Sequence, residues 1–232
     1  MHKKPLILAL LTGIALSGAA QAALHDRGGG MIYDDVLDIT WLSDANYAAT
    51  QFANSAGTLG DADGRMNWAD ANAWAAGLSY GGYEDWRLPT ALNQDGSGPC
   101  SGGSCTGSEM GYMYYTNLSA TGVSHPGEGN TVIVTGANTA NLALFTNLGG
   151  THPLDTFYWS GSESAPGSDN AWSFLMLIGH QQEIDKAFVI GAAAWAVRIG
   201  DVAAVPVPEP ETYALMLAGL GLVGWAAKRR RS

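Results

Sequence analysis

Two apolar runs bracket this chain, and the apolar positions between them alternate between helical and strand periods. Pro5 to Leu16 forms a short run behind His2-Lys3-Lys4, and Tyr213 to Ala227 forms a second that stops at Lys228-Arg229-Arg230-Arg231. Within the body, Met31-Ile32-Tyr33 and Leu37-x-Ile39-x-Trp41 predict an opening hairpin over Asp26 to Trp41, with Asp34-Asp35 at its turn. A polar stretch follows. Asp61-Ala62-Asp63-Gly64 then turns into a helix capped by Asn67, with Asp70 at the third position of a box-like cap. Ala71, Trp74, Ala75 and Leu78 fall at i, i+3, i+4 and i+7 on one apolar face, and Gly81-Gly82 reads as the stop. Tyr83 to Thr90 reads as a short strand closed by Pro89.

Thr106-x-x-Glu109 resembles a second capping box, ahead of a helix whose face is Met110, Met113, Tyr114 and Asn117. Residues 119 to 156 are rich in Gly, Thr and Asn around a Val132-Ile133-Val134 strand. Phe157 to Gly161, Ala171 to Met176 and Ala193 to Ile199 complete the body as β-rich stretches. Two helices followed by antiparallel strands make an α+β order.

The ends decide the compartment. The h-region is too short for a permanent membrane helix, and Ala20-Gln21-Ala22 has the form of a signal peptidase site, so cleavage is expected between Ala22 and Ala23. The C-terminal run is roughly 15 residues, short of the ~20 that span a bilayer, but tilt and snorkelling of the basic cluster make up the deficit. Lysine at one end and arginine at the other both favour the cytoplasm, which places the body outside. Two ordinary transmembrane helices around a periplasmic loop are the alternative reading of the same charges.

Val207-Pro208-Glu209-Pro210, the apolar span and the terminal basic cluster together resemble the PEP-CTERM sorting tail of Gram-negative bacteria. The resemblance implies an exosortase-type membrane protease as partner, recognition of Pro208, Glu209 and Pro210, and cleavage near that box. The expected organisation is a signal peptide at 1–22, one domain at 23–204, and a sorting tail at 205–232 with its hydrophobic helix at 213–227. Before processing, that helix would hold the chain in the inner membrane; afterwards the product would reach the cell surface or extracellular matrix.

Charge narrows the partners. The chain has 11 basic and 21 acidic residues; setting aside Lys3, Lys4, the four basic tail residues, Glu209 and Glu211 leaves 5 against 19, a net charge of about −14 for the body. Such a surface repels nucleic acid and anionic lipid. With 31 glycines, 8 tryptophans and only 14% charged residues, the body reads as loop-rich and aromatic-cored. In an exported chain, Cys100 and Cys105 are assigned to a local disulfide.

Gly64-x-Met66-x-Trp68, Trp74-Ala75, Tyr83-x-x-Trp86-Arg87-Leu88-Pro89, Tyr158-Trp159-Ser160, Ala171-Trp172 and Ala196-Val197-Arg198 resemble the domain named after the C-terminal region of Legionella collagen-like proteins. The resemblance runs from about Asp26 to Asp201. It implies a C-type-lectin-like fold with two helices, a twisted antiparallel sheet and neighbouring termini.

Candidate chemistry in the body is sparse. Most of the tryptophans fall on apolar faces and read as core, where each buried ring contributes roughly 2–3 kcal/mol. Trp159, beside Ser160 and Glu163 at a strand end, is the candidate for an exposed ligand-binding ring. Asp61 and Asp63, with Asn67 and Asp70 nearby, are weak calcium candidates, but their spacing departs from an EF-hand and reads better as a solvated turn. No lectin-type Glu-Pro-Asn or Gln-Pro-Asp motif accompanies them. His25, His125, His152 and His180 have no sequence neighbours suggesting a triad. Arg87 and Arg198, flanked by apolar residues, read as structural ion pairs. The four-residue spacing of the cysteines is shared with copper-dependent formylglycine-generating enzymes, but the Arg-Gly-Gly-Ser-type context of those enzymes is missing. No cofactor, metal or catalytic residue is expected. The resulting expectation is a non-catalytic glycan- or protein-binding module, with a purely structural matrix component as the alternative and an oxidase as the distant one.

Overall fold

A computed structural model of the chain describes residues 24–124, 132–150, 157–188 and 191–202. The signal segment with Ala22 and Ala23, the sorting box Pro208-Glu209-Pro210, the 213–227 run, His125 and His152 lie outside the described residues. Among the described residues no helix is long and apolar enough to cross a membrane.

The order is mixed α and β. Strands β1 (Leu24–Asp26), β2 (Met31–Asp34) and β3 (Ile39–Leu42) precede helix α1 (Tyr47–Asn54), strand β4 (Arg65–Met66) and helix α2 (Trp68–Ala76). Helix α3 (Glu109–Tyr112) runs directly into a π-helical turn, Met113–Asn117. Then come β5 (Ala120–Ser124), β6 (Val132–Gly136), α4 (Thr139–Leu142), β7 (Gly149–Gly150), β8 (Phe157–Glu163), β9 (Asn170–Leu175), β10 (His180–Asp185), β11 (Ala192–Ala193) and β12 (Val197–Ile199).

Three sheets form where one was expected. Their orders are β1-β2-β3-β12, β10-β9-β8-β11-β4 and β5-β6-β7. Neighbours are antiparallel except β11 against β8, which is parallel. The opening hairpin forms, with Ile32 opposite Trp41 and Asp34 opposite Ile39, and its turn runs through residues 35–38 and takes in Leu37. Asp34 is buried at its turn, where its carboxylate accepts from the Val36 and Leu37 amides and from Asn117 Nδ2. Burial pushes that carboxyl above the usual range.

The cap of α2 is the one the sequence indicates: the Asn67 side chain accepts from the Asp70 amide at 2.9 Å. The stop is not. Gly77 ends the helix, and Gly81-Gly82 instead form the turn between Tyr80 and Tyr83. Tyr83 to Thr90 makes only isolated bridges, at Tyr83 and at Arg87, rather than a strand. Ser108, not Thr106, caps α3 by accepting from the Gly111 amide. Glu109 is thereby freed from a capping role and turns to Arg87. The predicted face Met110, Met113, Tyr114 and Asn117 is buried throughout, although its last three residues lie in the π-helical turn. Helices α1 and α4 and strands β1, β4, β5, β7 and β10 are additions to the expected set.

Two apolar clusters share strand β8. Tyr158 points into the larger one, with Trp41, Trp195, Phe174 and Met113. Trp159 points into the smaller one, with Met66, Ala71, Ala75 and Leu88. A strand covered on both faces shows no alternation of polar and apolar residues, and β8 occupies such a position.

Candidate ligand-binding cleft

The five basic residues of the body are each paired with a carboxylate. Arg27 meets Asp201, Arg65 meets Asp63, Arg87 meets Glu109, Lys186 meets Glu163 and Arg198 meets Asp85. Three of these cations also lie over aromatic faces: Arg27 over Tyr33, Lys186 over Trp68, and Arg198 over Tyr83 at 4.0 Å. Arg87 and Arg198 are therefore structural, as their apolar flanks indicate.

The candidate ring at Trp159 is corrected by its surroundings. Its side chain is 0% exposed and its Nε1 donates to the Met66 carbonyl at 2.8 Å. It is a core residue and cannot stack on a sugar. Glu163 lies further along β8 and binds Lys186, whose ammonium hydrogen-bonds it and holds its carboxyl below the usual range. The two do not form one surface. No described tryptophan is exposed: Trp68 and Trp74 are half-buried and the rest are buried.

Asp61 and Asp63 line an open groove of about 610 Å³ with Asn67, Asp70 and Phe188. Arg65 grips the Asp63 carboxylate, while Asn67 and Asp70 are engaged with each other through the helix cap. Asp63 is lowered chiefly by its hydrogen bond to Arg65 against the cost of burial, and Asp61 is raised by burial and by the neighbouring Asp63. Among the described residues no group of three or more His, Cys, Asp or Glu side chains is arranged to hold a metal ion.

A different surface is built from two neighbouring cavities of about 440 and 370 Å³, which share Asn93, Gln94 and Gly107. One end is apolar, with Val36, Leu37 and Leu92; the other lies beside Ser104, Thr106 and the Cys100–Cys105 disulfide. Val36 and Leu92 are 47% and 38% exposed, a concentration of apolar surface that marks binding sites more often than a lone exposed leucine does.

The walls are stiff. Buried Gln181 on β10 donates from Nε2 to the carbonyls of Ala91 and Cys100, and its backbone pairs with Gly102 in both directions. The Tyr115 hydroxyl accepts from the Ser104 amide and donates to the Gly179 carbonyl. Gly111 on α3 packs against the loop so closely that a Cβ there would run into the Cys105 carbonyl. Asn93 and Gln94 are fixed by bonds from their amides to Ser97 and Gly107. The floor carboxylate, Glu109, is neutralised by Arg87 and accepts from the Thr90 amide.

The cleft thus presents amides, hydroxyls, the exposed Asp95 carboxylate and a small apolar shelf, with no free cation. It did not emerge from the sequence because its pieces lie in a Gly/Ser-rich loop, where nothing in the periodicity announces Gln181 as the fixing point. The two cysteines were the available signal. His25, also singled out, meets Asp35 at 3.0 Å on the first sheet, far along the chain from this loop.

Residues 206–231 match the family model for the PEP-CTERM protein-sorting motif. The match supports an exported protein that is processed by an exosortase and sorted to the surface. No curated protein matches the chain.

Proposed function

We propose that this is an exported surface or matrix protein whose body is a non-catalytic binding module of the C-type-lectin-like kind. The sorting motif at 206–231 is the observation that carries the reading, because it assigns the body to the cell exterior. The cleft between Leu92 and Thr106 supports the binding role. Its amides and hydroxyls suit a hydroxyl-rich, uncharged polysaccharide, while a body near −14 disfavours anionic polymers. The rigid, disulfide-closed wall lowers the ordering cost of binding.

Two outcomes test this. Replacing Pro208, Glu209 and Pro210 together by alanine is expected to leave the precursor unprocessed in cells that hold the exosortase, as read by intact mass. The secreted product is expected to be retained on neutral polysaccharide beads, with Gln94→Ala, at an exposed rim position, weakening retention by roughly five- to tenfold through one lost hydrogen bond. Retention on no glycan at all would leave a purely structural matrix role as the better reading.

A further inference from the structure

The two ends of the cleft differ in chemistry, and the difference narrows what it can hold. At one end the apolar shelf is small and aliphatic. Val36 and Leu92, both exposed, line the same cavity as Gln94. The carboxylate of that cavity is already compensated, because Arg87 holds both oxygens of Glu109 and the Thr90 amide reaches one of them. Gln94 is exposed, and among the described residues no hydrogen bond engages its side chain.

A polymer that bears hydroxyls alone has no group for this shelf. The apolar face of a sugar ring packs best on a flat aromatic side chain, and no aromatic residue lines either cavity. An acetamido group, by contrast, ends in a methyl joined to a carbonyl and an N–H. Its methyl suits Val36 and Leu92. Its amide suits the Gln94 carboxamide, which offers both a donor and an acceptor.

The other end accepts hydroxyls. Asp95 Oδ1 takes the Ser97 amide at 2.9 Å and the Ser97 hydroxyl at 2.6 Å. Among the described residues Asp95 Oδ2 has no hydrogen-bond partner, and the side chain is exposed at the cleft. The Ser97 hydroxyl holds this carboxyl below the usual range, so at neutral pH it is ionised and only accepts. It can take a sugar O–H in a charge-assisted bond, and it repels the anionic groups of an acidic polymer.

We infer that the cleft takes a neutral polymer of N-acetylated amino sugars, with an acetamido methyl on Val36 and Leu92, its amide on Gln94 and a neighbouring hydroxyl on Asp95. This rests on the polysaccharide-binding reading above and narrows it to one class of sugar.

The test titrates the secreted protein by calorimetry with three soluble tetrasaccharides, of glucose, of N-acetylglucosamine and of glucosamine. The N-acetylated one is expected to bind about tenfold more tightly than the glucose one, through one covered methyl and one amide hydrogen bond. Leu92→Ser is expected to remove most of that preference and to leave affinity for the glucose tetrasaccharide unchanged. Asp95→Asn keeps an acceptor for Ser97 and is expected to weaken both by about threefold through loss of the charge assistance. Asp169→Asn, which removes one exposed carboxylate on the β8–β9 turn, is expected to change neither. Thermal unfolding shows whether each variant stays folded, and an unfolded Leu92→Ser passes the decision to Val36→Ser.

Equal affinity for the glucose and N-acetylated tetrasaccharides, or tightest binding of the glucosamine one, would overturn the inference. So would a preference that both Leu92→Ser and Val36→Ser leave intact, or equal weakening by Asp169→Asn and Asp95→Asn. If retention on neutral polysaccharide beads persists in any of these cases, the polysaccharide reading stands without this narrowing. If the protein binds no tetrasaccharide and no bead, both fall.

Discussion

Arg87→Ala is expected to lower the stability of the secreted protein by about 3 kcal/mol, the low end of what removing one partner of a buried ion pair costs. Glu109 is the reason. Both its oxygens are held by the Arg87 guanidinium, at 2.7 and 2.8 Å, and it is largely buried in the first turn of α3. Without Arg87 the carboxylate keeps only the Thr90 amide and becomes an uncompensated charge. Arg87 is about a third exposed, so water reaches part of the site and keeps the loss at the low end. For a domain of this size the melting temperature should fall by roughly 6–12 °C. The double replacement Arg87→Met with Glu109→Leu should recover most of that, since it removes both charges and their desolvation cost. Thermal unfolding by circular dichroism checks both; a single-variant shift below about 2 °C would show that the pair contributes little.

Trp159→Ala should be costlier still, at about 3–5 kcal/mol. The ring is enclosed by Met66, Ala71, Ala75 and Leu88, and no water contact compensates for its removal. Its loss also strands the Met66 carbonyl, which accepts from the indole. The expected result is a sharp fall in the amount of folded, secreted protein. Trp159→Phe, which keeps most of the volume, should lose far less. A variant that melts normally and loses only glycan retention would return Trp159 to the ligand-binding surface.

Trp159 also shows where reading the sequence succeeds and where it stops. The α2 cap was legible because Asn67 and Asp70 need only local geometry, and that geometry is what forms. The opening hairpin was legible because β-prone residues flank Asp34-Asp35, even though β3 is buried on both faces. Strand β8 lies between two cores, so Tyr158 and Trp159 are both enclosed and no period marks either as exposed. Helix α1 was hidden by its polar residues. Thr50 bonds Asp44, and Gln51 accepts from the Trp74 indole, partners that only the fold supplies. Strand β10, His-Gln-Gln-Glu-Ile-Asp, is a polar edge strand whose one deeply buried side chain, Gln181, is satisfied by the cysteine loop. The ion pairs were half legible: Arg87 and Arg198 stand out among apolar neighbours, but Glu109 and Asp85 could not be named as their partners. The cleft, lined by residues between Val36 and Glu109 and braced by Gln181 from β10, left the cysteines as its only trace in the sequence.

The intact mass of the product recovered from outside the cell tests the central claim most directly. The expected species begins at Ala23, has lost the segment beyond the Pro208-Glu209-Pro210 box, and carries the mass of a closed Cys100–Cys105 disulfide. A full-length chain from Met1 to Ser232, found only in the cytosol with both thiols free, would contradict it.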